Sequence, residues 1–319
     1  MQLSHRMQDL MSAPKPYLTD GGLETTLIFH YGYDLPCFAA FPLLDDDKGR
    51  ADLETYYKSY VDVAKASATG FVLDVPVWRA SGDWGGELGY DQADLNRVNR
   101  EGAEFAGALR DDWETEAAPI VVNGVIGPKG DGYVVDTAMT ADEAEIFHAH
   151  QIRALTQGGV EMVTAVTMTY AAEAIGIARA AVSSRVPVVI SFTVETDGRL
   201  PSGQRLSDAI AEVDAATDGD VLYFMINCAH PDHYSATVAG DDVWRYRIGG
   251  LRSNASRMSH EELDNAEDLD AGNPQEFGYL HRELMNSLPN IRVLGGCCGT
   301  DDRHIGCMAQ GHSHYRQAG

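Results

Sequence analysis

The chain has 319 residues, 44% of them hydrophobic, with 24 basic against 48 acidic side chains and a formal net charge of −24. That balance repels phosphate backbones and anionic lipid surfaces, which argues against nucleic-acid and membrane partners, and no apolar run approaches the roughly 20 residues that span a bilayer. Five cysteines do not make a disulfide framework in a chain of this length, and Met1-Gln2-Leu3-Ser4-His5-Arg6 lacks the apolar core of a secretory signal, so a soluble protein of the reducing cytoplasm is expected.

Along the chain, short β-branched runs alternate with longer amphipathic stretches, the pattern of a parallel sheet covered by helices. After an N-terminal extension over residues 1–16, strands are expected near 17–19, 71–74, 120–123, 162–167, 188–193, 222–227, 247–251 and 293–295. Helices are expected over 53–68, 92–109, 141–157, 171–184, 206–215 and 275–287. Eight strand-helix units favour a single-domain α/β fold, a closed (β/α)8 TIM barrel over residues 17–310, rather than an open doubly wound sheet. The first strand is followed by Asp20-Gly21-Gly22-Leu23-Glu24 and not by G-x-G-x-x-G, so no dinucleotide cofactor is expected. The polar stretch 252–272 reads either as a βα loop that closes over a substrate or as an ordinary surface excursion. Residues 311–319, with His312 and His314, read as a disordered tail.

Chemistry concentrates at two strand ends. Gly295-Gly296-Cys297-Cys298-Gly299-Thr300 ends the eighth strand, and Cys228 ends the sixth. Consecutive residues of a regular strand point to opposite faces, but flanking glycines accept backbone angles closed to other residues and allow both sulfurs to turn toward one point. In a parallel barrel all three sulfurs then lie at the C-terminal rim. Three thiolates hold a zinc ion and leave its fourth tetrahedral position to water or substrate. Taken alone, Cys228 reads as a small core residue; paired with the double cysteine it reads as a ligand. Cys37 and Cys307 have no such context and read as structural or incidental.

These residues resemble the zinc-dependent homocysteine S-methyltransferases, the family of betaine- and S-methylmethionine-homocysteine enzymes and of the homocysteine-binding module of cobalamin-dependent methionine synthase. The resemblance runs over about residues 18–305. Its markers are Thr19-Asp20-Gly21-Gly22, Val125-Ile126-Gly127-Pro128, Ser191-Phe192-Thr193, Asn227-Cys228 and Gly295-Gly296-Cys297-Cys298-Gly299-Thr300. It implies Zn2+ carried by Cys228, Cys297 and Cys298, and two small-molecule partners, a thiol acceptor and a methyl donor. Homocysteine, giving methionine, is the default acceptor. It also implies that Asp20, Gly21 and Gly22 hold the amino-acid end of the acceptor, with backbone N–H groups on its carboxylate and Asp20 on its ammonium. The residues by themselves also read as a tight turn with an Asp cap. Asn227 is a further substrate contact on this view.

Two positions depart from the family pattern. Val166 stands where a glutamate usually helps to bind the acceptor ammonium, which leaves Thr167, Thr169 and Tyr170 as nearby polar substitutes, Glu195 or Asp197 to supply the charge, or an acceptor other than homocysteine. At the second strand end, Trp78 is expected to face a cationic donor through its π surface and Arg79 to bind a carboxylate, unless both are rim packing residues. Trp84 is expected in a flexible loop that covers the donor. The competing functions are a methyltransferase for a different small thiol, a non-catalytic thiol- or zinc-binding barrel, and a redox pair of Cys297 and Cys298. Whether the chain forms a homo-oligomer is left open by the sequence.

Overall fold

The computed structural model describes residues 3–135 and 138–311; the expected tail beyond Gly311 lies outside the described residues. Eight parallel strands close into one barrel in sequence order. They are β1 Tyr17–Leu18, β2 Phe71–Val75, β3 Ile120–Ile126, β4 Met162–Met168, β5 Val188–Phe192, β6 Phe224–Asn227, β7 Ile248–Ser253 and β8 Val293–Gly296. β1 pairs with both β2 and β8, which seals the ring. The fold is the expected (β/α)8 barrel. Helix ends carry their own signals: Asp91 and Thr140 cap Gln92–Trp113 and Ala141–Gln157, and in each case an acid three residues on accepts from the capping residue's N–H.

Inside the barrel, side chains alternate in and out along each strand, and the inward positions form layers. Tyr17, Val72, Val121, Met162, Val189, Met225 and Val293 make an apolar layer at the N-terminal end. Two residues further along, the inward positions on β2 to β7 are Asp74, Asn123, Thr164, Ser191, Asn227 and Arg252. Hydrogen bonds join this polar layer around the ring. Asn123 donates to Asp74 at 2.7 Å, Thr164 to Asn123 at 2.9 Å and Ser191 to Asn227 at 2.6 Å. Outward-facing residues pack under the surrounding helices in a separate, larger core.

Part of the segment expected to lie outside the barrel closes its bottom. Helix His5–Ser12 starts at Ser4, whose hydroxyl accepts the Met7 N–H at 3.3 Å, and its Met7 and Leu10 are buried against the apolar layer. No helix among the described residues is long and apolar enough to cross a membrane.

Candidate metal centre and active site

At the C-terminal end the barrel opens into a cavity of about 430 Å³, within the size range of small-molecule sites. Cys228, Cys297 and Cys298 line it, and their sulfurs lie within 4.8 Å of one another. Two backbone devices aim them. Cys228 follows β6 at φ 52°, in the left-handed region that residues with a Cβ rarely adopt and that gathers at functional sites. Cys297 and Cys298 leave β8 in a turn closed by Thr300, whose N–H and hydroxyl donate to the Cys297 carbonyl at 3.1 and 2.8 Å, with Gly299 at φ 78°. The strand glycines act differently from expectation. Neither Gly295 nor Gly296 has a positive φ; a Cβ on Gly296 would collide with Thr300 and one on Gly295 with Thr19. Their missing side chains let the thiol turn fold back onto the barrel rim.

The sulfurs of Cys228 and Cys297 touch, with Cα atoms 5.5 Å apart, and Cys298 carries a free thiol. That contact joins two strand ends and not the adjacent cysteines that a Cys297–Cys298 redox pair requires. Reduced, the pair adds two thiols to that of Cys298. Three convergent soft sulfurs suit zinc and leave one tetrahedral position free of protein. Burial pushes the Cys298 thiol up to about 11, so a thiolate there at neutral pH needs a cation beside it. Thr167, at φ 61°, donates its hydroxyl toward the Cys228 sulfur at 3.9 Å, and the Tyr133 hydroxyl lies 3.8 Å from the Cys298 sulfur.

Beside the thiol turn, Arg252 bridges two carboxylates. It donates to Asp20 at 2.5 Å and to Asp74, while its Nε donates to the Gly296 carbonyl at 3.1 Å. Thr19 and Tyr56 hydroxyls also donate to Asp20, at 2.9 and 3.1 Å. Burial outweighs these partners and raises Asp20 to about 6. Asp20 lines the cavity, but its charge is shared with Arg252 and not reserved for an ammonium. A seventh strand ending at 251 leaves Arg252 out of the barrel; the inward series Ile248, Gly250, Arg252 is the sequence signal that places it inside.

The turn after β1 is also partly occupied. The Gly22 N–H, expected on an acceptor carboxylate, donates to the Thr300 carbonyl at 3.0 Å. A Cβ on Gly21 would meet that carbonyl oxygen at 2.6 Å, and one on Gly22 the Cys297 carbonyl oxygen at 2.7 Å. Both glycines thus let the thiol turn pack against this one. Asn227 accepts from the Thr167 N–H and the Ser191 hydroxyl and donates to the Thr167 hydroxyl, which fixes Thr167 near Cys228 more than it reaches toward a ligand.

Trp78 and Arg79 line the cavity. The Arg79 guanidinium lies 3.9 Å from the Trp78 ring and 3.8 Å from the Trp84 ring, so the protein's own cation covers a π face expected to receive a donor. Its Nη1 donates to the Gly130 carbonyl at 3.1 Å, and burial lowers it to about 10. Val166 faces the cavity, but neither Glu195 nor Asp197 lines it, which corrects the expectation that one of them supplies the missing charge. Glu195 meets His260 Nδ1 at 3.0 Å; His260 Nε2 lies 2.8 Å from the Cys228 carbonyl oxygen, and the Tyr133 ring stacks on the imidazole at 4.0 Å. Asp197 accepts the Arg199 N–H at 3.0 Å. Glu24, which the sequence reading passed over, does line the cavity, and burial raises it to about 7. The stretch 252–272 contributes Leu263, Asp264, Asp268 and Leu269 to the cavity's wall, as a loop closing over a substrate would.

Residues 17–311 match the homocysteine S-methyltransferase family. The solved structure of the homocysteine methyltransferase MmuM from Escherichia coli in its oxidised form is similar with a TM-score of 0.75 at 18% identity, covering 96% of this chain and 99% of that one. Its metallated form gives 0.73 at the same identity and coverage. At 18% identity this likeness speaks for the fold, while the family match is carried by the sequence. That match takes in every strand of the barrel and all three cavity cysteines, and the chain belongs to the homocysteine S-methyltransferase family.

Proposed function

We propose that the protein transfers a methyl group from a small activated donor to the sulfur of homocysteine, at a zinc site formed by Cys228, Cys297 and Cys298. The observation that carries this reading is the convergence of three sulfurs within 4.8 Å beside a cavity of small-molecule size. When bound, zinc supplies the positive charge that keeps the acceptor sulfur a thiolate at neutral pH. The thiol proton leaves to solvent as the acceptor binds, so no dedicated general base is required.

The chain's own residues position and enclose. Thr167 and Tyr133 steady the ligand sulfurs through their hydroxyls, and the wall formed from 252–272 keeps water from the reacting atoms. In the transfer, the acceptor sulfur's electron pair forms the new S–CH3 bond while the donor's bond to that carbon breaks and its electrons stay with the donor. A cationic donor therefore leaves neutral. Charge is lost from both partners, so an enclosed, weakly solvated cavity favours the step.

Metal analysis coupled to a turnover assay tests the reading. Protein purified under reducing conditions is expected to hold about one zinc per chain, and Cys298→Ala to lose most of it, with turnover falling by more than about 100-fold. Unchanged zinc and intact turnover in that variant overturn the three-thiolate site. Stoichiometric zinc without methyl transfer, across a matrix of donors and thiols, favours the binding barrel instead. Val166 supports a second reading, a different small thiol as acceptor, because an apolar side chain cannot hold an ammonium.

A further inference from the structure

Two opposite charges in the cavity have no ion-pair partner among the described residues. Glu24 stands in the first turn of helix Leu23–Phe29, lines the cavity and hydrogen-bonds to no other side chain among the described residues. Cys228, Cys297 and Cys298 line the same cavity. Arg79 lines the same cavity from beyond β2, is buried, and rests between two indoles with one donor engaged by a backbone carbonyl. The carboxylate acting on it most strongly, Asp131, is itself engaged by the N–H groups of Tyr133 and Val134 at 2.7 and 3.1 Å. Glu24 and Arg79 feel one another's charge but form no ion pair. Opposite charges in a cavity that do not meet, Arg79 buried and Glu24 partly buried, are costly unless a ligand completes both.

We infer that Glu24 and Arg79 form the receptor for the acceptor's zwitterionic head, Glu24 holding its α-ammonium and Arg79 its α-carboxylate while its sulfur reaches the three cysteines. This rests on the thiol-acceptor reading above and favours its amino-acid acceptor over a thiol without that head. The other candidates are less free to make these contacts. Asp20 is bridged by Arg252, the Gly22 N–H is bonded to Thr300, Val166 is apolar, and Glu195 and Asp197 lie outside the cavity. Arg79 is also well prepared for its part: a guanidinium held flat by stacking presents its remaining N–H groups in the fixed geometry a carboxylate accepts. An acceptor lacking either charge leaves one protein charge enclosed and unpaired, which is the basis for rejecting it.

The test uses the zinc-loaded protein and three thiols: homocysteine, 4-mercaptobutanoate, which lacks the ammonium, and 3-mercaptopropylamine, which lacks the carboxylate. Affinity is read by equilibrium titration and KM in parallel, with metal content and melting temperature as controls. Wild type is expected to prefer homocysteine. Glu24→Gln should weaken homocysteine and 3-mercaptopropylamine by about 10–100-fold and leave 4-mercaptobutanoate unchanged. Arg79→Gln should show the mirror pattern, weakening homocysteine and 4-mercaptobutanoate. Arg79→Lys, which keeps the charge but not the planar fork, should recover part of that loss and guards against a folding defect in the Gln variant. Equal loss across all three thiols, or a changed donor KM with acceptor ratios intact, overturns the inference. Wild type that binds the three thiols alike overturns it while leaving the thiol-acceptor reading standing; wild type that binds none overturns both.

Discussion

At the N-terminal end of the barrel, Met7 and Leu10 cover Val72, Val121, Met162 and Val189 in an apolar layer, whereas two residues further along the same strands present Asp74, Asn123, Thr164 and Ser191 to the interior. The distance between the layers is only about 7 Å, yet they do different work. The lower layer follows the ordinary rule of burial and contributes stability in proportion to the apolar area it hides. The upper part of the barrel breaks local rules: Thr167 and Cys228 adopt positive φ, and Asp20 and Glu24 are carboxylates held where burial opposes their charge. Such departures persist only where the surrounding structure over-determines them. In a barrel of this type, strand ends at the C-terminal face carry chemistry and the opposite face carries stability.

The sharpest way to break this comparison is at Arg252, the one upper-layer residue on which folding should depend strongly. Arg252→Met leaves Asp20 and Asp74 enclosed without their shared cation, an expected loss of about 3–5 kcal/mol in urea unfolding. The double variant Asp20→Asn/Arg252→Met should lose less, because one of the stranded charges is removed with the arginine. A double variant as unstable as the single one would show that packing of the arginine, and not its charge, holds the upper layer together. At the other end, Leu10→Ala should cost about 2 kcal/mol, the low end for a buried leucine, since a helix of eight residues at the barrel mouth can shift to fill the gap. Zinc content and acceptor KM should stay at wild-type values. A change in either would mean that the plug shapes the thiol centre through the barrel.

The two ends also differed in how legible they were in the sequence. The barrel could be read because its signals are local: alternating β-branched runs mark the strands, and cap residues such as Thr140 with Glu143 mark the helix starts. The cysteines could be read because three soft ligands at strand ends form a small, distinctive set. Strand alternation is enough to turn Arg252 inward, but its role is not legible, since its partners Asp74 and Asp20 lie 178 and 232 residues away in sequence and only closure of the ring brings them together. Glu195 stands beyond the fifth strand as a candidate for the missing charge, but its side chain turns to His260. Helix His5–Ser12 escaped notice because a short amphipathic stretch before the first strand gives no hint that the barrel mouth will cover it.

The smallest expected effect is the one that most directly links the upper layer's chemistry to its instability. In the metal-free protein Glu24 has its folded value raised from 4.5 to about 7, chiefly by burial. A carboxylate raised in this way contributes its stability below about pH 4.5, where it is protonated in both states, and loses that contribution as pH rises through 7. Glu24→Gln keeps a neutral group of similar shape at every pH. Its melting temperature should therefore match wild type near pH 4.5, rise above it as pH increases, and exceed it by roughly 2–4 °C above pH 7.5. The same substitution is expected to weaken homocysteine binding, so a residue whose removal stabilises the fold would be kept for its ligand. A melting gap that is constant with pH, or a Glu24→Gln protein less stable than wild type at pH 7.5, would instead make Glu24 a structural contact and place the instability of the upper layer elsewhere in the ring.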